Sequence, residues 1–335
     1  MSLLEIKNLQ KTFSTKPDLL ARGLESIGLK TNTLPAVQAV RDVSFRVEKG
    51  EVLGLIGESG CGKSTIARMI AGITPATAGE IIFDGQNILD QSSKQAQTAA
   101  LDIQMVFQDA AAAMNPRYKI RDIIAEAPLF HGRMKSSEVN DRVAEILEAV
   151  SLSPDFADRY PHQLSGGQRQ RIGIARALAM KPRLMICDES VAALDVSIQA
   201  QVINLFMDLR EKFGLTYIFI SHDLSVVRHI SDRVAIMYLG EVVETATKQE
   251  IFLNPAHPYT RALIEQNPSI KNRQREHQPI EGEVPSPLKP PSGCYFHPRC
   301  RSVLASCSVQ HPALQTISGT HQVACHLYNA IESYS

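Results

Sequence analysis

The chain has 335 residues, and its 35 Lys and Arg cancel its 35 Asp and Glu, giving zero net charge and a pI of about 7.1. That balance argues against a nucleic-acid or anionic-lipid surface as the main partner, and no run reaches the ~18–20 apolar residues of a membrane span. The start, Met1-Ser2-Leu3-Leu4-Glu5, lacks the charged and apolar regions of a signal peptide. The expectation is a soluble, cytoplasmic chain whose six cysteines are not structural disulfides. The length predicts a main domain with an appendage.

Residues 3–9 alternate loosely and read as a strand, and 14–36, rich in Gly, Pro, Ser and Thr, as an inserted loop. Residues 37–47 form a second strand region, with Val43, Phe45 and Val47 in period two; Glu48-Lys49-Gly50 is the turn after it. The apolar run 52–56 is a buried strand, and 66–71 a helix. Residues 79–89 read as a strand pair turning at Asp84-Gly85. A short strand at 103–107 ends at Gln108. Val143, Ile146, Leu147 and Val150 share one helical face. A helix follows 164–168 and runs through Met180. Strand 184–187 ends in Asp188-Glu189, residues 198–213 are helical, and strand 216–220 ends at Ser221-His222-Asp223. Residues 234–238 and 241–244 form a hairpin around Gly240. Strands alternating with helices predict an α/β fold with a parallel sheet, and the helix-free N-terminal strands an antiparallel flank. After Pro268 the texture turns polar; 271–293, with five prolines between 279 and 291, reads as a linker.

The stretch Gly57-Glu58-Ser59-Gly60-Cys61-Gly62-Lys63-Ser64-Thr65 is G-x-x-x-x-G-K-[ST], a phosphate-binding loop set between a strand and a helix. Triphosphate oxygens need several converging backbone N–H groups. A glycine-rich turn supplies them without Cβ clashes, and the helix N-terminus adds unpaired N–H groups and the positive end of its dipole. Lys63 is placed to meet the β- and γ-phosphates, and the Ser64 hydroxyl to meet Mg²⁺. Asp188, at the end of an apolar strand, can hold Mg²⁺ directly or through water, with Glu189 left to polarise the attacking water. His222 and Gln108 are ordinary strand-end residues when taken singly. Leu164-Ser165-Gly166-Gly167-Gln168 is a second glycine-bearing helix start, offering N–H groups and a hydroxyl to an anion. With one nucleotide loop in the chain, the sensible ligand for this second site is a nucleotide held by another chain.

In order, 57–65, Gln108, 164–168, 184–189, Ala192-Ala193-Leu194-Asp195 and His222 resemble the Walker A, Q-loop, signature, Walker B, D-loop and H-loop of an ATP-binding-cassette (ABC) ATPase, over roughly residues 3–265. Phe13 matches the aromatic that stacks on adenine in that family. The resemblance implies a P-loop NTPase fold of ABC type: a nucleotide-binding domain over 1–268 with a helical subdomain at about 109–165. It implies a sandwich dimer, in which Ser165, Gly166, Gly167 and Gln168 contact the γ-phosphate of the partner's ATP and Asp195 links the two sites. Glu189, His222 and Gln108 are the implied catalytic set, with Ser64, Gln108 and Asp188 around Mg²⁺.

Val106-Phe107-Gln108-Asp109, Met114-Asn115-Pro116-Arg117, Tyr160-Pro161-His162-Gln163, Asn254-Pro255-Ala256-His257-Pro258-Tyr259-Thr260-Arg261 and Glu283-Val284-Pro285-Ser286-Pro287-Leu288 narrow the resemblance to the dipeptide/oligopeptide (and nickel) importer ATPases. The implied function is an ATP-hydrolysing motor at the cytoplasmic face of the cell membrane. Its implied partners are a second ATPase, as a heterodimer, two transmembrane permease subunits and an extracytoplasmic solute-binding protein, with no nucleic acid. Nickel and glutathione are alternative cargoes; a soluble ABC ATPase acting on ribosomes or DNA, or a redox-regulated ATPase, are alternative functions. Ala110 to Ala113, Ser190 and Ala192 depart from the group's pattern.

Cys294, Cys300, Cys307 and Cys325 lie within a short segment after the linker, with gaps of five, six and seventeen residues. Without a Cys-x-x-Cys knuckle a zinc ribbon is disfavoured. A four-thiolate iron–sulfur site fits better, and four unrelated thiols is the remaining reading. The importer group's arrangement implies a [4Fe-4S] cluster on this 294–335 region. Cys61 and Cys187 read as small space-filling residues.

Overall fold

The structure is a computed structural model that describes residues 2–14, 36–90, 92–110, 112–192, 194–266 and 280–328. Nearly all of the expected loop at 14–36 and the part of the expected linker at 271–279 lie outside the described residues.

In chain order the elements are β1 (Ser2–Phe13), β2 (Val37–Glu48), β3 (Val52–Ile56), α1 (Lys63–Ile70), β4 (Ala78–Phe83), β5 (Gln86–Asn87), α2 (Lys94–Ala100), β6 (Ile103–Val106), α3 (Ile120–Phe130), α4 (Val139–Ala149), α5 (Gly166–Ala179), β7 (Leu184–Asp188), α6 (Val196–Phe213), β8 (Thr216–Ile220), α7 (Leu224–Ile230), β9 (Arg233–Tyr238), β10 (Glu241–Thr247), α8 (Lys248–Leu253), α9 (Pro258–Glu265), β11 (Gln315–Ser318) and β12 (His321–Val323). Two sheets result. A four-stranded antiparallel sheet runs β2-β1-β4-β5, and an eight-stranded sheet runs β11-β12-β10-β9-β3-β8-β7-β6.

The middle of the large sheet is parallel: β3 pairs with β8 and β9, β7 with β8, and β6 with β7. Every residue of β3, β7 and β8 is buried, as expected for strands covered on both faces. At roughly 1.5–3 kcal/mol for each fully buried large aliphatic side chain, these strands are the deepest-set part of the fold. Helix α1 lies between the sheets. Its Ile66, Ala67, Met69 and Ile70 pack into one cluster with Leu4, Ile6, Val43 and Phe83 of the small sheet and with Leu53, Leu55, Ile186 and Ile218 of the large one. The opposite face is covered by a second cluster that includes Val143, Ile146, Leu147 and Val150, the stripe read from the sequence, together with α3, α5 and α6.

The topology has a direct consequence. Strands β3, β8, β7 and β6 are neighbours and run the same way, so the segments leaving them open at one edge of the sheet. Ligands of open α/β sheets bind there, beyond the carboxyl ends of the strands.

The C-terminal segment is built onto this sheet. Strand β12 pairs with β10 (Glu244 opposite Val323, Thr245 opposite Gln322), and β11 pairs with β12. The junction is held by a buried carboxylate. Glu244 accepts the N–H groups of Ala256 (2.7 Å) and His257 (2.9 Å), and lies 2.7 Å from Nε2 of the buried His321. His257 Nδ1 then accepts the Tyr259 N–H at 3.0 Å, capping α9, with Pro258 in its first turn. The Asn254–Arg261 stretch therefore reads, physically, as a partly buried joint between the sheet and its C-terminal extension.

Burial pushes the His257 imidazole down to about 3 from an ordinary 6.5. The unfolded chain binds a proton between those values where the folded chain does not, so this group's contribution to stability is intact above about pH 6.5 and is lost on acidification toward pH 3. Denaturant melts at pH 7.5 and 5.5 should show wild type losing more stability than His257→Asn, by at most about 1.4 kcal/mol per pH unit below the unfolded pKa. Parallel losses in the two proteins would contradict a neutral buried His257.

Candidate active site

The phosphate loop follows β3 and opens into α1. Gly57 and Gly62 are required by space: a Cβ on Gly57 would lie 2.3 Å from the Met237 carbonyl oxygen, and one on Gly62, whose φ is +106°, 2.5 Å from that of Ala39. Gly60 also has positive φ, at +79°. The loop thus packs its backbone against β2 and β9 while its middle stays open. Lys63 is buried, and its ammonium donates to the carbonyls of Gly57 (2.7 Å) and Glu58 (3.0 Å), 3.7 Å from the Cys61 sulfur. Burial raises the Cys61 thiol above its ordinary pKa, and does the same at fully buried Cys187. Both cysteines fill space, as read from the sequence.

The neighbouring strand ends converge on this loop. The Ser64 hydroxyl donates to Asp188 Oδ1 at 2.9 Å. Burial pushes the Asp188 carboxyl upward, opposed by that hydrogen bond. A hydroxyl and a poorly solvated carboxylate side by side are hard oxygen ligands of the kind Mg²⁺ takes, so the residues present fit the metal. Next to Asp188, Glu189 sits at φ +48°, a left-handed conformation that costs a glutamate about 1–3 kcal/mol. Its N–H donates to Ile220 O on β8 at 3.0 Å, and the turn aims its carboxylate between two other strand ends. Gln108 Nε2 donates to Glu189 Oε2 at 3.0 Å, and His222 Nδ1 lies 3.5 Å from Glu189 Oε1. Gln108, Glu189 and His222, far apart in sequence, form one cluster.

The remaining expected site residues lie elsewhere. Phe13 ends β1 half-exposed, with the Lys11 ammonium 5.0 Å from its ring centroid. Ser165 caps α5: its hydroxyl accepts the Gln168 N–H (3.3 Å) and its own N–H donates to Gln168 Oε1 (2.9 Å), a closed capping box. Gly166 is exposed. Gly167 backs onto α6, where a Cβ would stand 2.6 Å from Ile198 Cγ2. Asp195 caps α6 by accepting the Ile198 N–H at 3.0 Å. The signature thus packs, through Gly167 and Ile198, against the first turn of the helix that Asp195 caps. Ala110 belongs to the same helical region: it is buried 3.3 Å from where a Gly173 Cβ would stand, and Arg176 donates to the Ala113 carbonyl.

Cys294, Cys300, Cys307 and Cys325 are free thiols, and the Cys294 N–H donates to the Cys307 carbonyl at 2.8 Å. Among the described residues, however, no group of three or more His, Cys, Asp or Glu side chains is gathered so as to hold a metal ion. Cys294 and Cys300 pack with the apolar cluster around Phe296, and Cys325 with Ala256 and Val323. Burial, with repulsion from the other cysteines of the four, pushes Cys294 and Cys325 up to about 11. As arranged, the described side chains form no ready-made site for an iron–sulfur cluster or zinc.

Two residues of the site were missed in the sequence. The Tyr259 hydroxyl accepts the Glu58 N–H at 3.0 Å, and Arg299 pairs with the Glu58 carboxylate. Their separation from the loop, 201 and 241 positions, left no local signal.

Residues 40–192 match the family described as ABC transporter, and 243–307 match that described as oligopeptide/dipeptide transporter, C-terminal region. The chain is 49% identical to the oligopeptide transport ATP-binding protein AppF of Bacillus subtilis, over 98% of each chain. This chain belongs to the ABC transporter ATPases of the oligopeptide/dipeptide group. It is also 47% identical to OppF of Escherichia coli, an oligopeptide transport ATP-binding protein, over 96% of this chain and 95% of that one. Among solved structures it is similar to a dimeric, post-hydrolysis state of an ATP-binding cassette bound to ADP and Pi, with a TM-score of 0.61, 28% identity, and coverage of 73% of this chain and 98% of that one. The ABC ATPase fold expected from the sequence is the fold observed, and as members of this family such chains hydrolyse ATP.

Replacing Glu189 by Gln keeps the shape of the Gln108–Glu189–His222 cluster and removes the carboxylate. Its kcat should fall about a hundredfold or more, with ATP affinity within a few-fold of wild type. Steady-state ATPase assays beside equilibrium ATP binding read the two separately; unchanged turnover would remove Glu189 from the chemistry.

Proposed function

We propose that this chain is the ATP-hydrolysing motor subunit of a peptide importer, and that it works as one half of a nucleotide sandwich. In this reading residues 57–65 receive the triphosphate, Ser64 and Asp188 hold Mg²⁺, with Gln108 beside them, and Phe13 stacks on adenine. Mg²⁺ supplies charge neutralisation at the phosphates. Glu189 takes a proton from the attacking water, His222 and Gln108 orient it, and Lys63 leaves its carbonyl partners for the β- and γ-phosphates.

The observation that carries the two-chain reading is the state of 164–168. At this helix start Ser165 and Gly166 are exposed and the end is internally capped, on a helix whose Gly167 abuts Ile198 of α6. Ser165, Gly166, Gly167 and Gln168 would meet the γ-phosphate of a nucleotide bound to the partner, and Asp195 would join the two sites. Closure by ATP and reopening after hydrolysis would move the partners. Those partners are a second ATPase subunit as a heterodimer, two transmembrane permease subunits and an extracytoplasmic solute-binding protein. No described helix of this chain is long and apolar enough to cross a membrane, which accords with a peripheral position on the cytoplasmic face. Peptides as cargo rest on the names of the relatives, oligopeptide and dipeptide transport ATP-binding proteins, and on the matching C-terminal region.

A Ser165→Arg substitution separates the two-chain reading from a one-chain site. The isolated chain should bind ATP with unchanged affinity, while ATP hydrolysis by the assembled, membrane-extracted complex falls about a hundredfold, because the added side chain blocks the partner's nucleotide. Weaker ATP binding by the isolated chain, or full turnover by the complex, would contradict the sandwich.

A further inference from the structure

The C-terminal segment reaches back to the phosphate loop. Arg299 is 8% exposed, and its guanidinium grips Glu58 with both ends, Nη1 to Oε2 at 2.7 Å and Nη2 to Oε1 at 3.0 Å. Nη1 is also 3.4 Å from the Tyr238 hydroxyl. The backbone of Glu58 is held separately, since its N–H donates to the hydroxyl of Tyr259. Tyr259 is fully buried, and its ring lies 4.7 Å from that of Tyr238 and 5.3 Å from that of Phe296. Side chain and main chain of the loop's second residue are therefore both fixed from the far end of the sequence. Lys63 donates to the Gly57 and Glu58 carbonyls, so the backbone braced in this way is also the one that parks the lysine.

A surface ion pair of the same composition would contribute little. This one is bidentate, buried on the arginine side and set against the Tyr238 ring, so losing the guanidinium leaves a partly buried carboxylate without its partner inside the loop. The repulsion between that carboxylate and incoming phosphates would no longer be masked, and the loop would be free to shift.

We propose that Arg299 is a positioning residue for ATP binding: through Glu58 it holds the phosphate loop in the shape that receives the triphosphate, which makes the cysteine-bearing C-terminal region a structural part of the nucleotide site. The inference rests on the loop being the ATP site. Its test is calorimetric ATP binding to the full chain, with steady-state kinetics of the assembled complex. Arg299→Ala should raise Kd and KM for ATP about tenfold, most of the loss in kcat/KM falling on KM. Arg299→Lys, which keeps the charge and loses the fork, should lie between that variant and wild type. The Glu58→Gln, Arg299→Ala double variant should bind no worse than Arg299→Ala alone, because both changes remove one interaction. If Arg299→Ala does not fold, Arg299→Lys and Glu58→Gln carry the same comparison. A lowered melting temperature with ATP affinity within twofold of wild type, or additive losses in the double variant, would overturn the proposal. Lys63→Ala serves as the control: retained ATP binding there would sink the ATP-site assignment itself, whereas retained binding confined to the Arg299 variants sinks only the brace.

Discussion

The structure depends on the burial of a few short parallel strands beside one another. Strands β3, β8 and β7 expose nothing to solvent, so their register and direction are set by the core, independent of any ligand. The chemistry sits one or two residues past their ends. Any slip of β7 against β8 would move Asp188 away from Ser64 and swing Glu189 away from Gln108 and His222. The antiparallel flank matters for the same reason, because it clamps α1 against the large sheet and thereby fixes the floor of the phosphate loop.

Three kinds of side chain are held at that edge by different forces. Lys63 is stored against carbonyl oxygens that a phosphate can replace. Asp188 is kept short of water by burial. Glu189 is steered by a left-handed backbone tied to Ile220. The signature helix start, by contrast, ties down its Ser165 and Gln168 N–H groups in a capping box of its own. In the proposed sandwich, that box holds the helix end in shape before the partner's nucleotide arrives.

Much of this was legible in the sequence because it is local. The glycine spacing of 57–65, the apolar runs ending in Gln108, Asp188-Glu189 and His222, and the Val143/Ile146/Leu147/Val150 stripe each carry their own period or spacing. The long-range features were not. The strained turn at Glu189 has no sequence mark, since nothing in Asp188-Glu189-Ser190 announces a positive φ. Helix α3 carries Pro128 within it, which blurs its pattern. The pairing of β12 with β10, the buried Glu244 that gathers Ala256, His257 and His321, and the contacts of Tyr259 and Arg299 with Glu58 all join residues tens to hundreds of positions apart. The cysteines, clustered in sequence, also stay near enough in space to raise one another's pKa, yet Cys294 and Cys300 pack in one apolar cluster and Cys325 in another, and no metal-holding group forms among the described residues.

The central claim is that a triphosphate here is enclosed by the 57–65 loop of one chain and the 165–168 stretch of its neighbour. Light-driven cleavage of the backbone by orthovanadate, trapped with Mg²⁺ and nucleotide in the assembled complex, reports which segments lie against the γ-phosphate position. The account predicts cuts at both stretches, and mixing cleavage-resolved subunits should place the two cuts of one site on different chains. Cuts confined to the 57–65 loop under trapping conditions would contradict it.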